Sequence, residues 1–279
     1  MNTSYIKLKA KKTLVNNHFK SFLISIFPYA VIVSLSGLNY YLYVVLKDTD
    51  FSAIPHISSY AQILPPTLLT ISMVLSYMIW QFSRMATDSY FFQKNKKAEA
   101  TFWSNIKDLS FRQVVTSAMV NILRFFLSIA WGVLYLLPCA VVSATFIYYV
   151  KGDNINLELL ITLVVSMLVL FFIGTAFLYV TLKRYSMCNA VILSTGERDC
   201  LKVIEKSIEI MEGKTITYAF YRLSFIGWIF SCLLIIPTIY VLPYVTISKY
   251  SFYNAITMKQ QYKEKQKPII FYIQKNIKA

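Results

Sequence analysis

Five stretches of the chain hold no Asp, Glu, Lys or Arg: 21–46, 51–83, 125–150, 159–182 and 223–248. Each is at least 24 residues long, and about 20 apolar residues cross the hydrocarbon of a bilayer as a helix. Backbone groups in lipid must be satisfied within their own segment, which favours helices. No period-two alternation of membrane barrel strands is visible. The pattern predicts an all-α, multi-pass transmembrane helical bundle.

Prolines refine the boundaries. The second run carries Pro55, Pro65 and Pro66 in its first half. Proline suits the first turn of a helix, so the span is placed at 66–83, and 47–64 becomes an external segment. Pro138 falls inside the third run and predicts a kink.

Loop charges orient the chain by the positive-inside rule. Residues 1–20 carry Lys7, Lys9, Lys11, Lys12 and Lys20 without an acid. The next loop sets Lys47 beside Asp48 and Asp50. Residues 84–112 carry Arg84, Lys94, Lys96, Lys97, Lys107 and Arg112. Lys151 then faces Asp153 and Glu158, and residues 183–222 are basic again. This places the N-terminus in the cytoplasm. The fifth run, as one span, would export a tail (259–279) rich in lysine, each lysine being worth about 1 kcal/mol near an anionic leaflet. Two helices, 215–236 and 239–258, with Pro237 and Pro243 around the turn, return the tail inside. The reading is six spans (21–46, 66–83, 125–150, 159–182, 215–236 and 239–258) followed by a basic cytoplasmic tail. A re-entrant hairpin of Leu223–Ser248 and an exported tail stand as alternatives.

Two pieces between the runs have helical stripes. In 200–212, Leu201, Ile204, Ile208 and Met211 form an apolar stripe opposite Lys202, Glu205, Lys206, Glu209 and Glu212. Ser194 or Thr195 is the expected cap, and Gly213 fits the C′ position. Residues 4–19 are basic and less clearly striped. Both read as short cytoplasmic amphipathic helices lying on the membrane or under the bundle. No second folded domain is expected.

Composition narrows the class. Of 279 residues 57% are hydrophobic and only 15% charged, against about 25% charged in a soluble chain. A soluble shell cannot be built from this composition. The formal net charge is +15. Because these charges lie between apolar runs, the expected partner is anionic headgroups at the cytoplasmic leaflet rather than nucleic acid. Cys139, Cys188, Cys200 and Cys232 form no CxxC pair, and His18 and His56 lie far apart, so neither a disulfide framework nor a metal site is expected. The first run exceeds a signal-peptide core of about 7–15 residues. Tyrosines such as Tyr40, Tyr41, Tyr43, Tyr148 and Tyr149 fit an interfacial belt.

Candidate chemistry is sparse. The chain has no HExxH, GxSxG or Walker A motif and no close pair of intramembrane carboxylates. The expectation is no catalytic residue, no cofactor and no enzyme activity. The ionisable residues nearest the hydrocarbon are Arg124, Arg222 and Lys249. An Arg or Lys at a helix centre costs about 2.5–3.5 kcal/mol on insertion scales. Arg124 and Arg222 read first as snorkelling anchors. Lys249, with Arg124 or Arg222, reads as positive charge offered to a lipid phosphate or another anion.

The last third has a recognisable texture. Ser207, Met211, Gly213 and Lys214 are followed by Leu223, Ser224, Phe225, Ile226, Gly227 and Trp228, then Pro243-Tyr244 and Phe252-Tyr253. This order resembles the bacterial multi-pass membrane family known as domain of unknown function 975. Arg184-Tyr185-Ser186-Met187 looks like its Y-S-M segment, and Ala10, Leu14 and Asn16 resemble its opening. The chain departs from the family at Pro138-Cys139, where Pro-Gly is frequent, and by the added run 159–182. The resemblance implies a membrane architecture and no activity. Gly227 beside Trp228 predicts a close helix approach, and Pro243-Tyr244 a bend. The functional expectation is a non-catalytic protein of the bacterial cytoplasmic membrane with a scaffold, accessory, or lipid- or peptide-handling role and an unidentified protein partner in the membrane. A small transporter or exporter component, an immunity-type protein against membrane-active peptides, and a lipid enzyme remain rivals.

Overall fold

The structure, a computed structural model, describes residues 3–15, 18–49, 63–96, 101–151, 157–231 and 235–277, with side chains described to Met258 except at 235–236. Helices α1 (Thr3–Leu14), α2 (His18–Asp48) and α3 (Leu64–Lys96) come first, then the short α4 (Phe102–Lys107). Next are α5 (Phe111–Val150) and α6 (Leu157–Leu182), followed by a 3-10 turn at Lys183–Tyr185. The chain closes with α7 (Cys188–Thr195), α8 (Cys200–Met211), α9 (Thr215–Leu223), α10 (Ile226–Ser231) and α11 (Ile235–Ile277). The described residues contain no strand. Most of the expected external segment 47–64 lies outside the described residues.

Two antiparallel helix pairs dominate. In the first, Asn39 of α2 donates to Ser76 Oγ of α3 at 3.0 Å and accepts from Ser72 Oγ at 2.5 Å. Further along the pair, Thr87 Oγ1 donates to the Ile24 carbonyl at 3.1 Å, and Lys94 Nζ to Ser21 Oγ at 2.8 Å. The second pair joins α5 and α6. Trp131 Nε1 donates to the Tyr185 hydroxyl at 3.0 Å, and the Tyr135 and Thr181 hydroxyls meet at 3.1 Å. Gly174 lets the backbones close: a Cβ there would stand 2.6 Å from the Tyr135 carbonyl oxygen.

The burial pattern inverts that of a soluble protein. The far halves of both pairs present large apolar side chains outward, among them Val33 at 71% and Phe172 at 68% exposure. The packed core lies at the other end. Ile6, Ala10 and Leu14 of α1 enter it, with Met85, Tyr90 and Phe91 of α3, Cys188–Ile192 of α7, and Ile247, Tyr250 and Phe252 of α11. Three helical stretches are long and apolar enough to cross a membrane: His18–Asp48, Phe111–Val150 and Leu157–Thr195. Helix α3 is apolar in its first half only, because Ser83–Lys96 turns polar as it enters the core. Helix α3 starts at Leu64 rather than 66, with Pro65 and Pro66 in its first turn, and runs past the expected end at 83 to Lys96; α5 runs on through Pro138.

Several expectations are corrected. The expected helix 215–236 is divided at Ser224–Phe225, giving α9 and α10. Pro237 and Pro243 lie inside α11 rather than around a turn. Helix α8 is capped by Asp199, whose side chain accepts from the Leu201 amide, not by Ser194 or Thr195. Its core face is Val203, Ile204, Ser207 and Met211, while Leu201 is 68% exposed. On that buried face Ser207 Oγ donates to the Arg184 carbonyl at 2.8 Å. Gly213 ends α8 with φ +63°, as its type predicts.

Candidate functional site

A cleft of about 550 Å³ opens where the first helix pair meets α10 and α11. Its polar lining includes Arg84, Asp88, Arg222 and Lys249, and its apolar walls include Pro28, Trp80, Ile229, Val241 and Val245. Arg84 and Asp88 stand four residues apart on α3 and so share a helix face. Arg84 lies 5.5 Å over the Trp80 ring, where the ring quadrupole holds the cation. Arg222, at the end of α9, donates to the Val245 carbonyl at 3.3 Å. Lys249 sits 5.2 Å from the Tyr250 ring. All three cations are half-buried.

The charge balance of this cleft is uneven. Lys249 has Arg84, Arg124 and Arg222 within electrostatic reach, against Asp88 alone. Asp88 is buried and accepts from Asn189 Nδ2 at 2.7 Å. Asn189 in turn accepts from Ser117 at 3.4 Å. Among the described residues, none of the four cations forms an ion pair with a carboxylate. Cations that outnumber their counter-charges in a low-dielectric cleft attract anions, because the Coulomb term grows as the local dielectric falls.

A second cleft, of about 570 Å³, lies on the far side of Trp80 and Arg84, between α3, α5 and the end of α6. Arg124 lines it and donates to Asn121 Oδ1 at 3.3 Å. Asn121 Nδ2 donates to Gln81 Oε1 at 3.0 Å. The three cations singled out from sequence therefore do not share one cleft. Arg222 and Lys249 do, Arg124 lines the neighbouring one, and Arg84 borders both.

Sequence reasoning passed over Arg84, Asp88 and Gln81. A signal existed: residues 81, 84 and 88 follow an apolar run at helical spacing, on one stripe with Trp80. Most of the family-like motif serves the framework. Met211 is fully buried, and Lys214 precedes the first turn of α9. Ser224 Oγ donates to the Tyr221 carbonyl at 2.6 Å where α9 ends. Phe252 packs 4.7 Å from Tyr218 and 5.2 Å from Tyr221. Tyr253 shares a 2.6 Å hydrogen bond with Ser194, and Tyr244 meets Phe225 edge-on at 5.3 Å. Gly227 makes no close approach, since a Cβ there would meet nothing within 4 Å, and Trp228 is 60% exposed. This framework fixes Arg222 between Tyr221 and the α9 terminus, and Lys249 three residues before Phe252.

No curated protein and no solved structure matches the chain. A family model described as Protein of unknown function (DUF975) matches residues 1–260. With that stretch taken up out of 279 residues, the chain belongs to this family, whose function is unknown.

Proposed function

We propose that the protein is a non-catalytic, lipid-handling component of the bacterial cytoplasmic membrane that holds an anionic headgroup in the Arg84–Arg222–Lys249 cleft. In this reading α2, α3, α5 and α6 cross the bilayer, and α10 with the start of α11 forms a re-entrant hairpin from the cytoplasmic side. The hairpin legs support this over two full spans. Arg222 is tied to Val245, and from Val245 back to Ile235 is ten residues, about 15 Å of helix against a hydrocarbon thickness of about 30 Å. The number of crossings stays even, so both termini lie inside with the lysine-rich ends. The cationic clefts then fall at the level of the inner-leaflet phosphates.

The observation that carries the reading is the cleft's composition: three cations and one carboxylate at the base of apolar walls. A phospholipid has that shape, with a charged head joined to apolar chains. Pro28, Ile229 and Val241 offer the chains a path toward the bilayer. The test counts phospholipids retained by the purified protein in mild detergent, by native mass spectrometry, for the wild type and for Lys249→Met and Arg222→Met. Retained phosphatidylglycerol should fall in both variants, with folded protein recovered. Equal retention in all three, or no preference for phosphatidylglycerol over phosphatidylcholine, refutes the reading.

A further inference from the structure

The second cleft differs from the first in one chemical respect: no carboxylate lines it. Its two side-chain amide oxygens are already engaged as acceptors. Asn121 Oδ1 accepts from Arg124, and Gln81 Oε1 accepts from Asn121. Tyr77 donates its hydroxyl proton to the Ala118 carbonyl at 3.2 Å, and Ser128 donates to the Phe125 carbonyl at 2.7 Å. The Tyr185 oxygen already accepts from Trp131, which leaves its own proton to give.

Donors, by contrast, remain. Arg84 and Arg124 each carry about five N–H groups, of which the Arg124–Asn121 bond uses one. The decisive group is Gln81. It is 1% exposed, and its Nε2 turns to the Tyr77 hydroxyl without reaching full hydrogen-bonding geometry. A buried amide donor with an incomplete bond is destabilising, and a strong acceptor delivered to the cleft relieves it. Asp88 acts on Arg124 at a distance, but its carboxylate lines the first cleft.

We infer that the Arg84–Gln81–Arg124 cleft is a second anion site, built for the oxygens of a phosphate group. Several acceptor oxygens and a negative charge match its donors, and guanidinium groups bind phosphate in pairs of parallel hydrogen bonds. An ammonium-bearing headgroup gains nothing there, because no acid lines the walls. The same chemistry arrives either as a lipid phosphodiester or as free phosphate. Phe125 and Phe126, each 61% exposed at the rim, provide the apolar margin that a lipid would use.

The inference is separable from the proposed function, because Gln81 and Arg124 line only this cleft. The test is made in full-length Lys249→Met protein, delipidated in detergent, so that the first cleft is disabled. Binding of dihexanoyl-phosphatidylglycerol, dihexanoyl-phosphatidylcholine and inorganic phosphate is read by titration calorimetry, with and without Gln81→Glu or Arg124→Met. Gln81→Glu keeps the acceptor for Asn121 and places a competing carboxylate toward the two guanidinium groups. Arg124→Met gives an independent route should Gln81→Glu misfold. Each second change should weaken the phosphatidylglycerol or phosphate interaction at least tenfold. Tight phosphatidylglycerol with weak inorganic phosphate identifies a lipid source; equal binding identifies the free anion. Unchanged binding in both double variants, or phosphatidylcholine binding as tightly as phosphatidylglycerol, overturns the site. Lipid retention by the single Lys249→Met variant still judges the first cleft.

Discussion

Gly174 offers a direct test of how the membrane pairs are held, because two effects of one methyl group oppose each other there. In Gly174→Ala the new Cβ would lie 2.6 Å from the Tyr135 carbonyl oxygen and 3.3 Å from Leu136 Cδ2. Carbon-to-carbonyl contacts otherwise run at about 3.3–3.6 Å, so α5 and α6 must part by roughly 0.7 Å or more. Over-packing of this kind costs about 1–3 kcal/mol. Against it, alanine gains about 1 kcal/mol over glycine in a helix interior. The expected net is a loss of about 1 kcal/mol. Gly132, on α5, is the internal control. A Cβ there meets nothing within 4 Å, so Gly132→Ala keeps only the favourable term of about 1 kcal/mol. The variants should therefore differ by about 2 kcal/mol with opposite signs, a gap of roughly 4–8 °C in melting temperature. Thermal unfolding in one detergent, followed by near-UV circular dichroism, reads both. If Gly174→Ala and Gly132→Ala shift the transition in the same direction by similar amounts, the close approach of α5 and α6 is wrong.

Other expectations follow from single contacts. Asn39→Leu removes both hydrogen bonds to Ser72 and Ser76 and should lower stability by about 1 kcal/mol in detergent unfolding, since the serines can turn back to their own helix; a loss several-fold larger would contradict this. Lys206 hydrogen-bonds to Glu197 at 2.8 Å, and this, with the Arg198 amide, holds the Glu197 carboxyl below its usual range. A depressed carboxyl contributes stability above its unfolded value of about 4.3 and loses it as the pH falls through the folded value. The melting gap between wild type and Lys206→Met should accordingly be present at neutral pH and close in acid; a gap that widens in acid rejects the pairing. For topology, a cysteine placed at Thr238 in a cysteine-free background should resist membrane-impermeant thiol reagents in intact cells if the hairpin is re-entrant, and react if two full spans carry it outside. A cysteine at Gln274 should label only after permeabilisation, and labelling from outside would end the even-crossing model.

Long charge-free runs are a local property, and they were legible residue by residue. Helices over 18–48, 111–150 and 157–182 follow from them because lipid leaves the backbone no other partner. The family relation was legible as well, in the order of Ser207, Met211, Gly213, Trp228, Tyr244 and Phe252. The split at Ser224–Phe225 was not, because an apolar run reads alike whether it crosses the bilayer or folds back, as here with Phe225 and the Ser248 carbonyl against Tyr221. The orientation of α8 was legible only in part: Ile204 and Met211 are buried as expected, but Leu201 and Val203 are equally apolar, and the packing around Val203 and Ser207, with the Ser207 bond to the Arg184 carbonyl, lies outside the local pattern.

The clefts belong wholly to tertiary structure. Composition announced an excess of cations, and position marked Arg124, Arg222 and Lys249 as expensive. Which cations stand together, that Arg84 borders both clefts, and that Asp88 serves one and not the other depend on the crossing of α3 with α5 and α11. Helix α3 meets α11 where the Phe92 ring lies 5.9 Å from Tyr250 and 6.1 Å from Tyr253, and meets α5 where Tyr77 bonds the Ala118 carbonyl and Gln81 bonds Asn121, partners far apart in sequence. Hydrophobic pattern decides which segments leave water. Where charges meet once they have left it is decided by long-range packing, whose information is spread over many pairs and is visible in none of them alone.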